Sequence, residues 1–201
     1  MGVTTLTPLR ACLEGDRVRL VPLAEAHREP LWQAAQAVEI WQWTSQIATR
    51  REDFDAWIER GLNREQDGTR QAFATLERAT DTIVGSTGYH HFRPHDGVIE
   101  IGSTWLNPGA WGTGINAEAK LLMMEHAFEV LGCVRVEFKT DARNVRSRAA
   151  LAALPAQFEG VLRKQIKLPG IGVRDSAFFS VIDDEWPGVR ENLLTRLGRR
   201  R

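Results

Sequence analysis

Cysteine is scarce in this 201-residue chain. Only Cys12 and Cys133 occur, far apart and outside any catalytic-thiol motif, so no disulfide scaffold is predicted and a reducing, cytoplasmic setting is expected. Net charge is absent as well: 26 Lys and Arg balance 26 Asp and Glu. That balance argues against a nucleic-acid or membrane partner, both of which are held chiefly by clustered basic residues. No apolar run is long enough to span a bilayer, and "MGVTTLTPLR" lacks a signal-peptide core, with Leu6 where a myristoylation motif needs Ser or Thr. The one basic run, "RLGRRR", reads as a solvated tail, and residues 1–10 and 198–201 are expected to be flexible ends. Tyrosine occurs once, at Tyr89, and no role is assigned to it. His90, His91 and His95 do not make a metal site on this reading, because adjacent strand residues face opposite sides; no metal is expected.

What remains is the composition of one soluble domain, residues 1–201, with 43% hydrophobic residues to build a core. "GDRVRLVPL" predicts a first strand ending at Pro22, and residues 24–38 carry Leu31, Trp32 and Ala35 at helical spacing. A second helix is predicted from Thr49, whose pairing with Glu52 makes a capping box ahead of Phe54, Trp57, Ile58 and Leu62. Strands "QAFATLE", "TIVGSTGYHHF" and "VIEIGSTWL" follow, joined by polar turns. A helix, the strand "CVRVEFKT", a short helix from Asn144 to Pro155, two strands around "PGIG" and a last helix complete the order. The order is that of a mixed α/β domain.

The stretch "WLNPGAWGTGINAEAKLLMMEHAFEVLG" places Gly112-Thr113-Gly114 directly before a predicted helix with an apolar stripe at Ala117, Leu121, Met124, Phe128 and Leu131, closed by Gly132. Glycines there leave the first free N–H groups of the helix open to a ligand, and the helix dipole favours an anion such as a pyrophosphate. A P-loop would need Gly-Lys-Ser/Thr, and the dinucleotide fingerprint would need a glycine at Ala117; neither is present.

Residues 100–147, with the strand leading to Asn-Pro, the "WGTG" turn, the helix, the next strand and Asn-x-x-Ser, resemble the GNAT superfamily of acetyl-CoA-dependent N-acetyltransferases, in particular its RimJ/RimL-type branch. The similarity is strong over residues 98–182. The resemblance implies a mostly antiparallel sheet of about six to seven strands flanked by helices, with a splayed parallel pair that binds acetyl-CoA. It implies backbone contacts to pyrophosphate from Trp111, Gly112, Thr113, Gly114, Ile115 and Asn116. It also implies a carbonyl donor at the N–H of Leu106 with Trp105 and Asn107 beside it, a pantetheine contact at Asn144, and Ser147 near the sulfur. Three positions depart from the family pattern: Gly109 replaces a Gln or Arg before the glycines, Leu151 replaces a tyrosine general acid, and Pro155 with Phe158 replaces a Gly-Phe pair.

Attack on a thioester needs a neutral amine, whereas an α-amino group titrates near about 8 and a lysine near about 10.4. Glu100 is the candidate base, on strand alternation that groups it with Gly102, Thr104 and Leu106; a glutamate merely paired on the sheet face is the competing reading. Ser147 is either a donor to the leaving sulfur or part of a helix start. Trp41 and Trp43 share a side if their loop is extended and would border the acceptor; core packing is the alternative. The function expected is acetyl transfer to a primary amine, of a protein N-terminus or a small molecule, by direct attack through a tetrahedral intermediate, in a monomer or homodimer. A catalytically silent acyl-CoA-binding sensor or interaction module is the rival reading.

Overall fold

A computed structural model describes residues 9–63, 68–168 and 172–198. Eight strands form one sheet in the order β1-β2-β3-β4-β5-β6-β8-β7. They are β1 Leu13–Glu14, β2 Val18–Pro22, β3 Gln71–Glu77, β4 Thr82–Arg93, β5 Val98–Leu106, β6 Arg135–Asp141, β7 Gln157–Leu168 and β8 Gly172–Ile182. The two-residue β1 is the strand beyond those predicted; it is too short to show a period. The helices are α1 Arg28–Ala34, α2 Arg51–Asn63, α3 Ile115–Glu125, α4 Val145–Ala153 and α5 Trp186–Arg196. All neighbours pair antiparallel except β5 and β6, whose parallel register requires the long crossover through α3.

Apolar clusters fill both faces. On one, α3 and α5 pack Ile115, Leu121, Met124, Trp186 and Leu193 against Ile99, Ile101 and Val136. On the other, Leu31 of α1 and Phe54 and Ile58 of α2 pack with Trp41 and Trp105 over Ala74 and Leu76. The predicted helix over residues 24–38 is broken: 3-10 turns at Glu25–His27 and Val38–Ile40 flank a seven-residue α1. Helix α2 begins at Arg51, two residues after the predicted Thr49 start, and its first backbone bond runs from Phe54 N–H to the Arg50 carbonyl at 3.0 Å. Inside the segment expected to be a loose N-terminal tail, Leu9 is fully buried, because the large α3-side cluster supplies it an apolar site. The remaining tail residues 1–8 and 199–201, and residues 169–171 within "PGIG", lie outside the described residues.

α3 is more deeply enclosed than an amphipathic stripe predicts. Glu118, Lys120, Leu121, Met123 and Met124 are all buried, and after Glu125 the helix widens into one π-helical segment, His126–Val130, before Gly132 turns the chain at φ +66. Glu118 has a definite task. Its carboxylate accepts the backbone N–H groups of Asp16, Arg17 and Val18 at 3.1, 2.6 and 2.7 Å, tying the β1–β2 turn to the helix.

Candidate active site

The parallel β5–β6 ladder ends at the pair Glu100–Glu137, although β5 runs on to Leu106 and β6 to Asp141. The two strands therefore splay, and the splay opens into a cleft of about 900 Å³ lined by Glu100, Leu106, Gly112, Lys120, Asn144 and Ser147 among others. Six groups drawn from β5, α3, α4 and the turn between them thus meet in one space.

A bulge at Ser103 aims β5. The register with β4 shifts between Ser86 and Gly88, and Ser103 takes φ +49, a left-handed value that a side chain adopts only where the surroundings impose it. Before the bulge, Ile99 and Ile101 face α3, leaving Glu100 and Gly102 on the α1–α2 side. After it, Thr104 bonds Lys120 of α3 and Leu106 joins the α3 cluster, while Trp105 packs on the α1–α2 side. The alternation that groups Glu100 and Gly102 with Thr104 and Leu106 is thus overturned: the extra residue reverses the faces.

The main chain of Leu106 points into the splay. Asn107 N–H bonds the Val84 carbonyl at 2.8 Å, so antiparallel alternation turns the N–H and carbonyl of Leu106 away from β4. Its carbonyl receives the Trp111 indole N–H at 2.9 Å, which leaves the adjacent N–H facing the gap. Asn107 is committed locally, its side chain accepting Ala110 N–H at 3.1 Å to start the turn Pro108–Ala110.

Beyond that turn, Gly112 and Gly114 adopt φ +76 and +90, conformations natural only to glycine. A Cβ placed on Gly112 would meet no atom within 4 Å, so the space over this turn is open to a ligand rather than filled by protein. The Trp111 N–H is already used by the Pro108 carbonyl at 3.1 Å. The amide cradle consequently runs from Gly112 through Thr113, Gly114 and Ile115 to Asn116, and Trp111 contributes its ring, over which the Arg146 guanidinium lies at 3.7 Å. Arg17 flanks the same turn, donating to the Leu197 carbonyl at 2.9 Å. Free helix-start amides beside two guanidiniums fit the phosphates of a coenzyme.

Asn144 is buried and accepts Ser147 N–H at 3.0 Å, capping α4; Ser147 lines the cleft one turn into the helix. Leu151, at the family's tyrosine position, also lines it. Tyr89 is fully buried, donates to the Met123 carbonyl at 2.7 Å, and is held far above the usual phenol range by burial. Glu100 is buried, and Lys139 holds its Oε2 at 3.0 Å. Its Oε1 has no donor among the described residues and lies where a Cβ on Gly102 would approach to 3.0 Å, so Gly102 keeps the space beside it clear.

The loop with Trp41 and Trp43 is a tight turn rather than an extended segment. Trp41 is buried, donates its indole N–H to the Ala35 carbonyl at 3.0 Å, and packs edge-on against Phe54 and Trp57. Trp43 is half-buried against Arg143, 5.2 Å from ring centre to guanidinium, and reaches the cleft wall with Trp41. Among the described residues no three metal-ligating side chains gather.

Sequence reasoning missed Lys120. It is buried on the cleft wall, donating to Thr104 Oγ1 at 2.8 Å and to Thr87 Oγ1 at 3.4 Å, and burial lowers its amine to about 7. The available signal was its position: three residues after Ala117 and four before Met124, it is a charge on the apolar stripe itself. Arg174 of β8 was missed too. It is buried on the same wall, where desolvation lowers its guanidinium while the charges of Asp141 and Glu100 oppose that.

Residues 17–156 match the family described as the acetyltransferase (GNAT) domain, more than half of the chain. The chain belongs to the GNAT acetyltransferases. A structure of a GCN5-related N-acetyltransferase from Brucella melitensis is 30% identical, with a TM-score of 0.86 over 94% of this chain and 86% of that one. Among curated proteins, the uncharacterized N-acetyltransferase p20 of Bacillus licheniformis is 30% identical over 122 residues, 61% of this chain and 67% of its relative. Mycobacterium smegmatis RimJ in complex with CoA-disulfide shares the fold at a TM-score of 0.80 and 18% identity, covering 96% of this chain and 97% of that one. This GNAT protein is therefore an N-acetyltransferase, and its family uses acetyl-CoA. The open eight-stranded sheet with one parallel pair is the fold of these neighbours.

Proposed function

We propose that this protein, as a member of the RimJ/RimL-type branch, transfers the acetyl group of acetyl-CoA directly to a primary amine, of a small molecule or a protein N-terminus. The observation that carries the reading is the Leu106 N–H turned into the β5–β6 splay, next to a glycine turn with open space over Gly112. Acetyl-CoA supplies a thioester open to nucleophilic attack. The amides of Gly112 to Asn116, with Arg17 and Arg146, hold its phosphates, and Asn144 and Trp105 border the arm. Leu106 N–H offers a fixed donor to the carbonyl oxygen as charge gathers there, worth about 3 kcal/mol if it acts like other oxyanion donors.

Glu100 accepts the proton of the amine at Oε1, directly or through a water, while Lys139 steadies Oε2. The Ser147 hydroxyl lies on the wall with Leu151 and serves the departing thiolate, whose pKa of about 8.5 makes full protonation dispensable. A thiol-release assay over a panel of amines, run beside melting curves with acetyl-CoA, tests the proposal. Turnover with a melting shift supports it; a melting shift with only background thiol release across the panel replaces it with a silent coenzyme-binding module.

A further inference from the structure

The cleft is electrostatically lopsided in a chain of zero net charge. Apart from the buried Lys120 amine, its wall carries seven Lys or Arg side chains against one carboxylate, Glu100. The cations beside the glycine turn are matched to coenzyme phosphates, but the excess continues at the other end, around Glu100, where no phosphate of the coenzyme is called for. Of the cations there, Lys139 is paired with Glu100. Arg60, Arg70 and Arg174 form no ion pair among the described residues, although half-buried arginines elsewhere, such as Arg28, Arg51 and Arg190, do.

Hydrogen bonding shows the same imbalance. Arg174 spends only its Nε, on Ser176 Oγ at 3.1 Å, so its two terminal nitrogens have no protein acceptor among the described residues. Arg60 gives one nitrogen to Gln46 Oε1 at 3.0 Å, and its buried Nε has no partner. The indole N–H of Trp105 is likewise buried with none. A buried donor without an acceptor costs about 1–3 kcal/mol; the Arg60 Nε and the Trp105 indole N–H, together with the unused terminal nitrogens of Arg174, are explained at once if a ligand supplies the acceptors.

We infer that the acceptor is an amphoteric amine: beside the amino group directed to Glu100 it bears a carboxylate, which the guanidinium of Arg174 receives, with Arg70, Arg60 and the Trp105 indole completing the donor set. Burial is the main cause that lowers the neighbouring His91 imidazole; Glu100 opposes it, and Lys139, Arg70 and Arg93 add to it, so three cations and one carboxylate act on this end of the cleft. A dication such as a polyamine would meet uncompensated guanidiniums there. This inference rests on the N-acetyltransferase reading. The same chemistry comes from two sources, a free amino acid or an acidic residue close to a peptide N-terminus.

The experiment compares isosteric pairs that differ only in the charge: β-alanine against β-alaninamide, γ-aminobutyrate against its amide, and the amidated dipeptides Asp-Ala and Asn-Ala. Thiol release is measured for each, together with the melting shift each adds in the presence of coenzyme A. A carboxylate preference of at least about 10-fold in kcat/KM, or a melting shift from the acid and none from its amide, is expected; the pair that shows it, free acid or dipeptide, identifies the source. Arg174→Gln should raise KM for the acid about 10-fold while leaving its amide and the acetyl-CoA melting shift unchanged. Arg70→Gln, at a half-buried strand-edge position, should reduce the preference in the same direction if Arg174→Gln does not fold. Equal response to acids and amides in both measurements overturns the inference, including the case in which no member responds. Turnover of neutral amines alone sinks it and leaves the transferase reading standing, whereas a coenzyme melting shift with no turnover of any amine sinks both.

Discussion

Replacing Lys120 by methionine should make the protein more stable, and by an amount that depends on pH. The amine titrates near 10.5 in the unfolded chain and near about 7 in the fold, because burial removes its hydration and only two hydroxyls replace it. A base whose pKa is lowered on folding is bound by more protons when unfolded. Its contribution is therefore complete above 10.5, lost as pH falls toward 7, and constant below that. The whole interval corresponds to about 5 kcal/mol, with a slope of about 1.4 kcal/mol per pH unit, and about 3 kcal/mol of penalty remains at pH 8. Methionine keeps the unbranched length, and Thr87 and Thr104 stay bonded to each other at 2.7 Å. Subtracting about 1 kcal/mol for the lost amine hydrogen bond leaves a gain near about 2 kcal/mol at pH 8, or roughly 4–8 °C.

Urea unfolding of both proteins between pH 7 and 8.5 measures this. The window stops short of Cys133 and Tyr89, whose burial raises them (the thiol to about 11) and which pull stability the other way at higher pH. The gain from Lys120→Met should shrink by about 1 kcal/mol per unit as pH rises through the window. A difference that stays constant across it, or a destabilised variant, refutes the idea that a neutral amine is buried at this position.

Gly112→Val places a branched side chain at φ +76 in space that only a ligand would occupy, so the acetyl-CoA melting shift should vanish while the unliganded protein loses no more than about 2 kcal/mol. Glu100→Gln should lower kcat by about 10²-fold or more at every pH with little change in the acetyl-CoA melting shift; a full rate across pH removes Glu100 as the base. Glu118→Ala strands three backbone donors and should cost about 3–5 kcal/mol in urea unfolding, with Glu118→Gln recovering part of that because one acceptor oxygen remains.

The glycine turn was legible because its information is local: two glycines ahead of a stripe spaced three and four apart determine a tight entry and a helix. The succession of the seven longer strands along the chain was legible for the same reason, each being bounded by its own turn residues, whereas their order in the sheet was not. What escaped are features fixed by partners distant in sequence. Nothing near Ser103 announces a bulge, which arises where nine residues of β5 must match β4 on one side and leave β6 on the other. Trp41 and Trp43 were indistinguishable until α2 supplied Phe54 and Trp57 as neighbours for the first. Arg174 sits on a strand that alternates like an ordinary half-buried one, and only the fold brings it onto the cleft wall within the electrostatic reach of Glu100.

The bulge also explains why so much chemistry converges on one short segment. Without an extra residue, Thr104 would share the face of Glu100 and turn away from α3, and Lys120 would lose its 2.8 Å acceptor. Trp105 would leave the aromatic cluster, where it meets Trp41 at 5.7 Å and Trp57 at 5.8 Å. With the extra residue, β5 presents Glu100 and Trp105 to the side where Trp43 and Arg60 reach the cleft, and the Leu106 amide to the splay beside the glycine turn. One strand thereby holds a base for the amine and a donor for the carbonyl on two different exposures of the same backbone, and the left-handed strain at Ser103 is the cost of holding them there.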